Sequence, residues 1–172
     1  MRHTISILVE NEFGVLARVA GLFSGRGFNI ESLSVAETME PGVSRITLVT
    51  RGDDQVLEQV EKQLNKLINV IKVIDFTDTP HVERELVLIK VAVGEQTRGE
   101  VASIIDIFRG KIIDLSARTY VVEATGAEDK IEALIALLKP IGILEIVRTG
   151  RVAMFRGPRL LTIDDKNEDH AA

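Results

Sequence analysis

The turn Asn11-Glu12-Phe13-Gly14 has residue types that suit the binding of a small anionic or zwitterionic ligand. An alternating apolar pattern over residues 3–9 predicts a β-strand before it, and apolar residues at helical spacing from Val15 to Phe23 predict a helix after it. The turn therefore opens onto a helix N-terminus, where backbone N–H groups bind anions, and Gly14 lets a ligand approach the backbone closely. Because the turn contains no nucleophile, general base or metal ligand, it predicts binding rather than catalysis.

Two asparagines, Asn11 in this turn and Asn29 after the helix, could together hold an amino acid. An amide carries both donors and an acceptor, so two amides suit a zwitterion better than a phosphate. We expect the two strands joined by the first helix to lie side by side, which would place these residues at related edges of a sheet. The alternative is that Asn11 only caps the turn through its own side chain. Glu10 and Glu12 are expected to be solvated or to complement the helix dipole.

Other polar clusters predict structure rather than chemistry. Gly25-Arg26-Gly27 follows the first helix and is not followed by Gly-Lys-Ser or Gly-Lys-Thr, so it predicts a helix C-cap rather than a phosphate loop. The histidines, His3, His81 and His170, are scattered along the chain and do not predict a metal site or a catalytic relay.

Composition narrows the class of protein further. The 172 residues are 45% apolar and carry a net charge of −5, which disfavours a nucleic-acid-binding surface. Without cysteine the chain has no disulfide, thiolate zinc site or cysteine nucleophile. The N-terminus shows no signal peptide, and no apolar run approaches the roughly 20 residues of a membrane helix. We expect a soluble cytoplasmic protein with no membrane or nucleic-acid partner.

The order of predicted elements repeats one pattern. Each half of the chain predicts β-α-β-β-α-β, the split-βαβ arrangement of ferredoxin-like folds. The predicted strands cover residues 3–9, 29–38, 43–51, 70–76, 85–93, 111–116, 119–125 and 143–149, and the predicted helices lie at 15–23, 56–68, 98–108 and 128–138. In the second half, Val93 to Arg98 replaces the Asn-x-x-Gly turn, so a ligand turn is predicted only in the first half.

The predicted fold class is α+β, with two tandem ferredoxin-like βαββαβ domains. The first domain is assigned to residues 1–77 and the second to 78–163. A polar, acidic tail over 164–172 is predicted to be disordered.

Asn11 to Val19 and Phe23 to Leu33 together resemble the ACT domain of the small regulatory subunit of acetolactate (acetohydroxyacid) synthase. The resemblance extends over nearly the whole chain, through Ser44–Thr47, Gln59–Leu67, His81–Leu86 and Ile107–Asp114. A lone Asn-x-x-Gly turn would be weak support, whereas a linear series of matches over both halves is specific.

The resemblance implies a non-catalytic, homodimeric subunit that associates with a catalytic large subunit. That partner would condense pyruvate with a second 2-oxo acid using thiamine diphosphate, Mg²⁺ and FAD, while the small subunit itself would hold no cofactor. The small subunit is expected to raise activity and to confer feedback inhibition by valine, and in some members by leucine or isoleucine.

In this family the effector sites lie between paired ACT domains. Asn11 and Gly14 match the turn that holds the amino-acid backbone, and Asn29 matches the position contributed from across the interface. The effector-binding residues that the resemblance implies are Asn11, Gly14, Val15, Leu16, Asn29 and Ile30. The alternative function is a stand-alone ACT-type amino-acid sensor without an enzyme partner.

Two other functions share this order of elements and are disfavoured by particular segments. An acylphosphatase needs an arginine in the loop after the first strand, where this chain has Asn11-Glu12-Phe13-Gly14. An RNA-recognition domain needs aromatic residues on its central strand, and the segment Val43 to Thr50 has none.

Overall fold

The computed structural model describes residues 2–163, and these divide into two compact units. One unit comprises residues 2–82 together with 151–163, and the other comprises residues 83–150. The tail predicted to be disordered, 164–172, lies outside the described residues. Within the part of the chain that the structure describes, no helix has the length and apolar character needed to cross a membrane.

The first unit contains a four-stranded antiparallel sheet with two helices. Its elements are β1 (Arg2–Glu10), α1 (Val15–Ser24), β2 (Ile30–Glu37), β3 (Val43–Arg51), α2 (Asp54–Leu64) and β4 (Val70–Asp75). The strands lie in the order β2-β3-β1-β4. This is the predicted βαββαβ arrangement.

One face of this sheet forms a core with the two helices. Because alternate side chains of a strand point to opposite faces, Ile5 and Ile7 lie on the same face of β1. They pack with Val19 of α1 and with Val60 and Leu64 of α2, and all five side chains are fully buried. The apolar alternation of the first strand and the helical spacing that follows it are therefore explained by one core.

The expectation that the two strands joined by α1 lie side by side was wrong, because β3 lies between them. Leu48 of β3 is opposite Ile5 of β1 on one side and opposite Leu33 of β2 on the other. In a split-βαβ unit the helix connects two strands that leave room for one more, and here the antiparallel β3 occupies that position. Consequently β2 is an edge strand.

The second face of the first sheet is partly covered by a segment from the end of the chain. This segment contains a short strand, β9 (Val152–Phe155), which was not predicted. Ala153 and Phe155 are buried and pack with Ile74 and Phe76. Residues 151–163 therefore belong with the first unit in the structure, whereas the sequence placed them in a second domain running from 78 to 163. Four residues that bury two side chains give too short a periodic signal to predict.

The second unit repeats the pattern of the first. Its elements are β5 (His81–Ala92), which begins in the first unit, followed by α3 (Arg98–Ile107), β6 (Lys111–Leu115), β7 (Thr119–Gly126), α4 (Glu128–Gly142) and β8 (Ile143–Arg148). The strand order is β6-β7-β5-β8, and β9 also pairs with β5. The predicted fold class, α+β with two βαββαβ units, is confirmed.

The C-terminal ends of two helices differ from the prediction by more than one residue. Helix α4 continues four residues beyond Leu138 and contains Pro140 in its last turn, where a missing N–H removes only one hydrogen bond. Helix α2 ends at Leu64, so Ile68, which was predicted on its buried side, lies in the following turn and is 92% exposed.

Candidate functional site

The turn between β1 and α1 has an open, left-handed backbone at its glycine. Gly14 immediately precedes α1 with φ 81° and ψ −4°, a conformation that glycine adopts readily and other residues rarely adopt. A Cβ atom placed on Gly14 would meet no atom within 4 Å, so the space beside the backbone is open. No side chain caps the N-terminus of α1 and its first turn holds no acidic residue, which leaves this positive end of the helix dipole accessible.

Asn11 is exposed and is held at this turn by two hydrogen bonds. Its backbone N–H donates to the carbonyl oxygen of Gly42 at 2.7 Å. Its side-chain Nδ2 donates to Oε1 of Glu37, at the end of β2, at 2.9 Å. The side chain thus bonds to another strand rather than capping its own turn, and its Oδ1 is positioned as an acceptor beside a carboxylate.

The two residues that follow Gly14 differ in what they can offer a ligand. The side chain of Val15 is buried in the core between the sheet and the helices, so only its backbone can contact a ligand. Leu16 is 43% exposed on the first turn of α1 and presents an apolar side chain to solvent.

Asn29 and Ile30 lie at the opposite end of β2 from Asn11. The carbonyl oxygen of Asn29 accepts a hydrogen bond from Oγ1 of Thr50, at the end of β3, whereas Asn11 bonds to Glu37. The strand Ile30–Glu37 between these contacts is about 23 Å long at about 3.3 Å per residue. Within one copy of the chain, the six predicted residues therefore form two groups that are too far apart to hold one amino acid.

The two ends of β2 differ in charge. At its start, the carboxylate of Glu31 is ion-paired with the guanidinium groups of Arg2 and Arg51, and Arg26 lies in the turn just before the strand. Burial would raise the pKa of Glu31, but the hydrogen bonds and charges of the two arginines outweigh it and hold that pKa below its ordinary value. Four acidic residues lie near the end of β2, namely Glu37 in β2 itself, Glu40 in the connection to β3, Glu10 at the end of β1 and Glu12 in the turn that follows β1.

A buried asparagine that the sequence did not single out connects the parts of this turn. Asn69, just before β4, is 6% exposed and bonds to residues on both sides of Gly14. The sequence signal that could have indicated Asn69 is that it is the single polar residue in the apolar run from Leu67 to Ile71. Glu37 was also missed, because nothing in the sequence places the end of β2 beside Asn11.

The corresponding turn of the second unit, between β5 and α3, is closed on itself. The backbone N–H of Gly94 donates to Oγ1 of Thr97 at 2.9 Å, and the N–H of Thr97 donates to the carbonyl oxygen of Gly94 at 3.2 Å. A cavity of about 630 Å³ lies beside this turn, lined by Ala92, Val93, Gly94, Glu95, Gln96, Thr97 and Ile141. Its lining includes a carboxylate, Glu95, and an amide, Gln96, but these are neighbours in one turn, whereas Asn11 and Glu37 lie on two different elements. Over residues 2–163, no group of three His, Asp or Glu residues is placed to hold a metal ion.

Comparisons with known proteins agree with both halves of the fold. Residues 5–72 match the model of the AHAS small subunit-like ACT domain, and residues 84–157 match the model of the small subunit of acetolactate synthase. The chain is 58% identical over 156 residues to the acetolactate synthase small subunit of Aquifex aeolicus, covering 90% of this chain and 81% of that protein. The chain belongs to the acetolactate synthase small subunit family.

Other members of the acetolactate synthase small subunit family support the assignment. The probable acetolactate synthase small subunit of Archaeoglobus fulgidus is 55% identical over 91% of this chain and 98% of its own length. The crystal structure of the acetolactate synthase small subunit from Thermotoga maritima superposes with a TM-score of 0.83 at 46% identity, covering 91% of this chain and 98% of that one. The resemblance seen in the sequence is confirmed, and the first unit contains the ACT domain of a regulatory small subunit.

Proposed function

We propose that this small subunit raises the activity of a catalytic acetolactate synthase large subunit and makes that activity sensitive to feedback inhibition by valine. The observation that carries the proposal is the open left-handed Gly14 at an uncapped helix N-terminus, beside the exposed amide of Asn11. This arrangement offers donors for a carboxylate and acceptors for an ammonium group within one turn.

The contacts of a bound branched-chain amino acid follow from this geometry. Its carboxylate accepts hydrogen bonds from the backbone N–H groups around Gly14, where the helix dipole favours negative charge. Its ammonium group donates to Oδ1 of Asn11 and to the carboxylate of Glu37, which lies 2.9 Å from the Asn11 amide. Leu16 supplies apolar contact for the side chain, since it is exposed on the first turn of α1.

The distance between Asn11 and Asn29 favours a site shared by two copies of the chain. In the first sheet β2 pairs on one side with β3, and it lies at the edge of the strand order. If the edges of two copies pair antiparallel about a twofold axis, the start of one β2 lies beside the end of the other. Asn29 and Ile30 of one copy then approach Asn11 and Gly14 of the second copy, and the two groups complete one site.

The charges at the two ends of β2 support the same pairing. Antiparallel pairing places the basic start of each strand, with Arg26 and Arg51, next to the acidic end of the other, with Glu37 and Glu40. Opposite charges brought together in this way favour association, whereas a parallel pairing would place like charges together.

The condensation itself belongs to the large subunit in this proposal. Thiamine diphosphate, bound to that partner together with Mg²⁺ and FAD, would supply the chemistry that forms the carbon–carbon bond. The residues of this chain bind the effector and change the activity of the large subunit. The alternative function is an amino-acid sensor that acts without an enzyme partner.

Reconstitution tests the proposal. The small subunit is added to the large subunit from the same organism, and acetolactate formation is followed while valine, leucine or isoleucine is titrated. We expect a higher rate on addition of the small subunit and a loss of rate with valine, while the small subunit alone consumes no pyruvate. An unchanged rate together with amino-acid binding, and no large subunit captured by the tagged chain, would instead identify a stand-alone sensor.

A further inference from the structure

We infer that Asn69 is a positioning residue that holds the 10–14 turn in the conformation that binds the effector. This inference rests on the proposed function of the turn. Asn69 itself does not contact the ligand, because it is buried beneath the turn, with 6% of its surface exposed.

The contacts of Asn69 span the turn from its first residue to the helix that follows. The backbone N–H of Glu10 donates to the carbonyl oxygen of Asn69 at 2.9 Å. Side-chain Nδ2 of Asn69 donates to Oε2 of Glu10 at 2.8 Å and to Oε2 of Glu12 at 3.1 Å. Side-chain Oδ1 accepts from Nη1 of Arg18, in α1, at 2.6 Å. One side chain therefore connects the end of β1, the turn itself and the helix whose N-terminus binds the carboxylate.

The chemistry of the amide explains why an asparagine is required here. Glu10 and Glu12 are two residues apart, and their carboxylates repel each other when both point to one place. The amide nitrogen has two hydrogens and donates one to each carboxylate, while the amide oxygen accepts from the guanidinium of Arg18. Without those donors the two carboxylates separate, and the backbone between them moves with Gly14.

The strand pairing shows that this junction is also where the sheet is irregular. The register between β1 and β4 shifts between Leu8 and Val9, and Val9 is opposite Val70, the residue after Asn69. The backbone geometry of the turn is thus set by contacts at the α2–β4 junction as well as by the turn residues.

The substitution Asn69→Asp tests the inference with almost no change in shape. Aspartate still accepts from Arg18, but it replaces both donors with a third carboxylate beside Glu10 and Glu12. We expect valine affinity, measured by calorimetry on the full chain, to fall about tenfold or more. Asn65→Asp is the matched control, because Asn65 is exposed in the same α2–β4 connection and the substitution adds the same charge. It should leave the affinity unchanged.

A second substitution separates positioning from a general loss of stability. In the double variant Asn69→Asp with Glu12→Gln, the new glutamine amide donates to the new aspartate and restores a bond across the same gap. We expect this variant to recover affinity to within about threefold of the parent, with Glu12→Gln alone completing the double-mutant cycle. If Asn69→Asp binds valine as well as the parent, or if the double variant is no better than the single one, Asn69 has no such role.

Hydrogen exchange on the unliganded protein gives a readout that does not depend on valine. In Asn69→Asp the backbone amides of residues 10–16 should exchange about tenfold faster than in the parent or in Asn65→Asp. Equal exchange rates would overturn the inference whatever the ligand does. If the parent binds none of the branched-chain amino acids but its turn is loosened by Asn69→Asp, the proposed effector is wrong and the positioning role stands.

Discussion

The guanidinium group of Arg45 donates a 2.6 Å hydrogen bond to the carbonyl oxygen of Ala153, a residue 108 positions later in the chain. Its Nε donates to Oγ of Ser6 at 2.8 Å. Burial of the charged group lowers the pKa of Arg45. Burying a guanidinium group without hydrogen-bond partners costs free energy, and the bonds to Ala153 and Ser6 offset that cost. They therefore stabilise the packing of the C-terminal segment on the face of the first sheet that α1 and α2 leave open.

Removal of the ring of Phe155 should destabilise the first unit. Phe155 is 9% exposed, its ring lies 5.0 Å from that of Phe76, and the guanidinium of Arg159 lies 4.2 Å from its centre. We expect Phe155→Ala to lower the free energy of unfolding by about 3 kcal/mol. Urea unfolding measures this free energy. Met154→Ala is the control, since Met154 is in the same strand but is 60% exposed. Equal losses in the two variants would show that the segment does not contribute to the core.

A mixture of two defective variants should recover valine binding if each site is shared by two copies. Asn11→Ala and Asn29→Ala homodimers each lack one residue from both sites, and a lost hydrogen bond to a charged group reduces affinity about ten- to a hundredfold. After subunit exchange, a mixed dimer has one site with neither substitution and one with both. About a quarter of all sites in an equal mixture should then bind with parental affinity.

Calorimetric titration of the exchanged mixture with valine measures this fraction. The matched control mixes Asn11→Ala with the double variant Asn11→Ala, Asn29→Ala, in which no arrangement gives an intact site. Recovery in the control, or none in the test mixture, would contradict a shared site.

A carboxylate placed at Gly14 should remove valine sensitivity. Gly14→Asp introduces a negative charge where the effector carboxylate binds and strains the backbone by about 1 kcal/mol, because φ is 81°. Gly157→Asp is the control for strain and charge, since φ there is 71° and the space beside it is also open. The ratio of acetolactate formation with and without saturating valine, measured for each reconstituted enzyme, should approach one only for Gly14→Asp. A valine-sensitive Gly14→Asp enzyme would place the carboxylate elsewhere.

Glu61 and Glu58, one turn apart on α2, should have opposite effects on stability. Burial raises the pKa of Glu61 above its ordinary value of 4.5, with further contributions from Asp75 and Glu58 that His3 partly offsets. A raised folded-state pKa means that the contribution of Glu61 to stability is present below the ordinary pKa and is lost as pH rises through the folded-state pKa. Glu61→Gln should therefore raise the melting temperature at pH 7, and the gain should vanish below about pH 4.

The comparison with Glu58→Gln supplies the opposite sign. The hydrogen bond and charge of Lys62 hold the pKa of Glu58 below its ordinary value, so this substitution should lower the melting temperature at pH 7. Its effect is lost as pH falls through the folded-state pKa. Melting curves of both variants at pH 7 and pH 4 test this difference. Melting temperatures that shift in the same direction at pH 7 would contradict opposite pKa changes for Glu61 and Glu58.

The elements that were predicted correctly are those with a long, regular pattern of burial. Ile5, Ile7 and Val9 alternate into one core, and Val15 and Val19 face that core at helical spacing, so periodicity alone locates β1 and α1. The strand β9 has only Ala153 and Phe155 to bury and gave no usable period. The order of strands in the sheet also depends on which strand fills the gap beside β1, which local pattern does not encode.

The position of the candidate turn could be predicted from the sequence, but the side chains that form hydrogen bonds with it could not. Gly14 immediately precedes α1, so the turn opens onto the helix N-terminus as predicted, whereas the left-handed backbone of Gly14 was not predicted. Glu37 and Asn69 are 26 and 58 positions after Asn11 in the sequence, and both form hydrogen bonds with residues of this turn. They reach it because strands that are distant in the sequence pair with one another. Shared occupation of the site by Asn11 and Asn29 stays a prediction.

The return of residues 151–163 to the first unit has a consequence for how the chain folds during its synthesis. Residues 83–150 are contiguous, so the second unit can form as soon as they have left the ribosome. The first unit is translated earlier, but its sheet lacks Ala153 and Phe155 until residues 83–150 have also been made. The N-terminal unit therefore completes its core last, and until then one face of a sheet that has already been synthesised is available to chaperones or to misfolding.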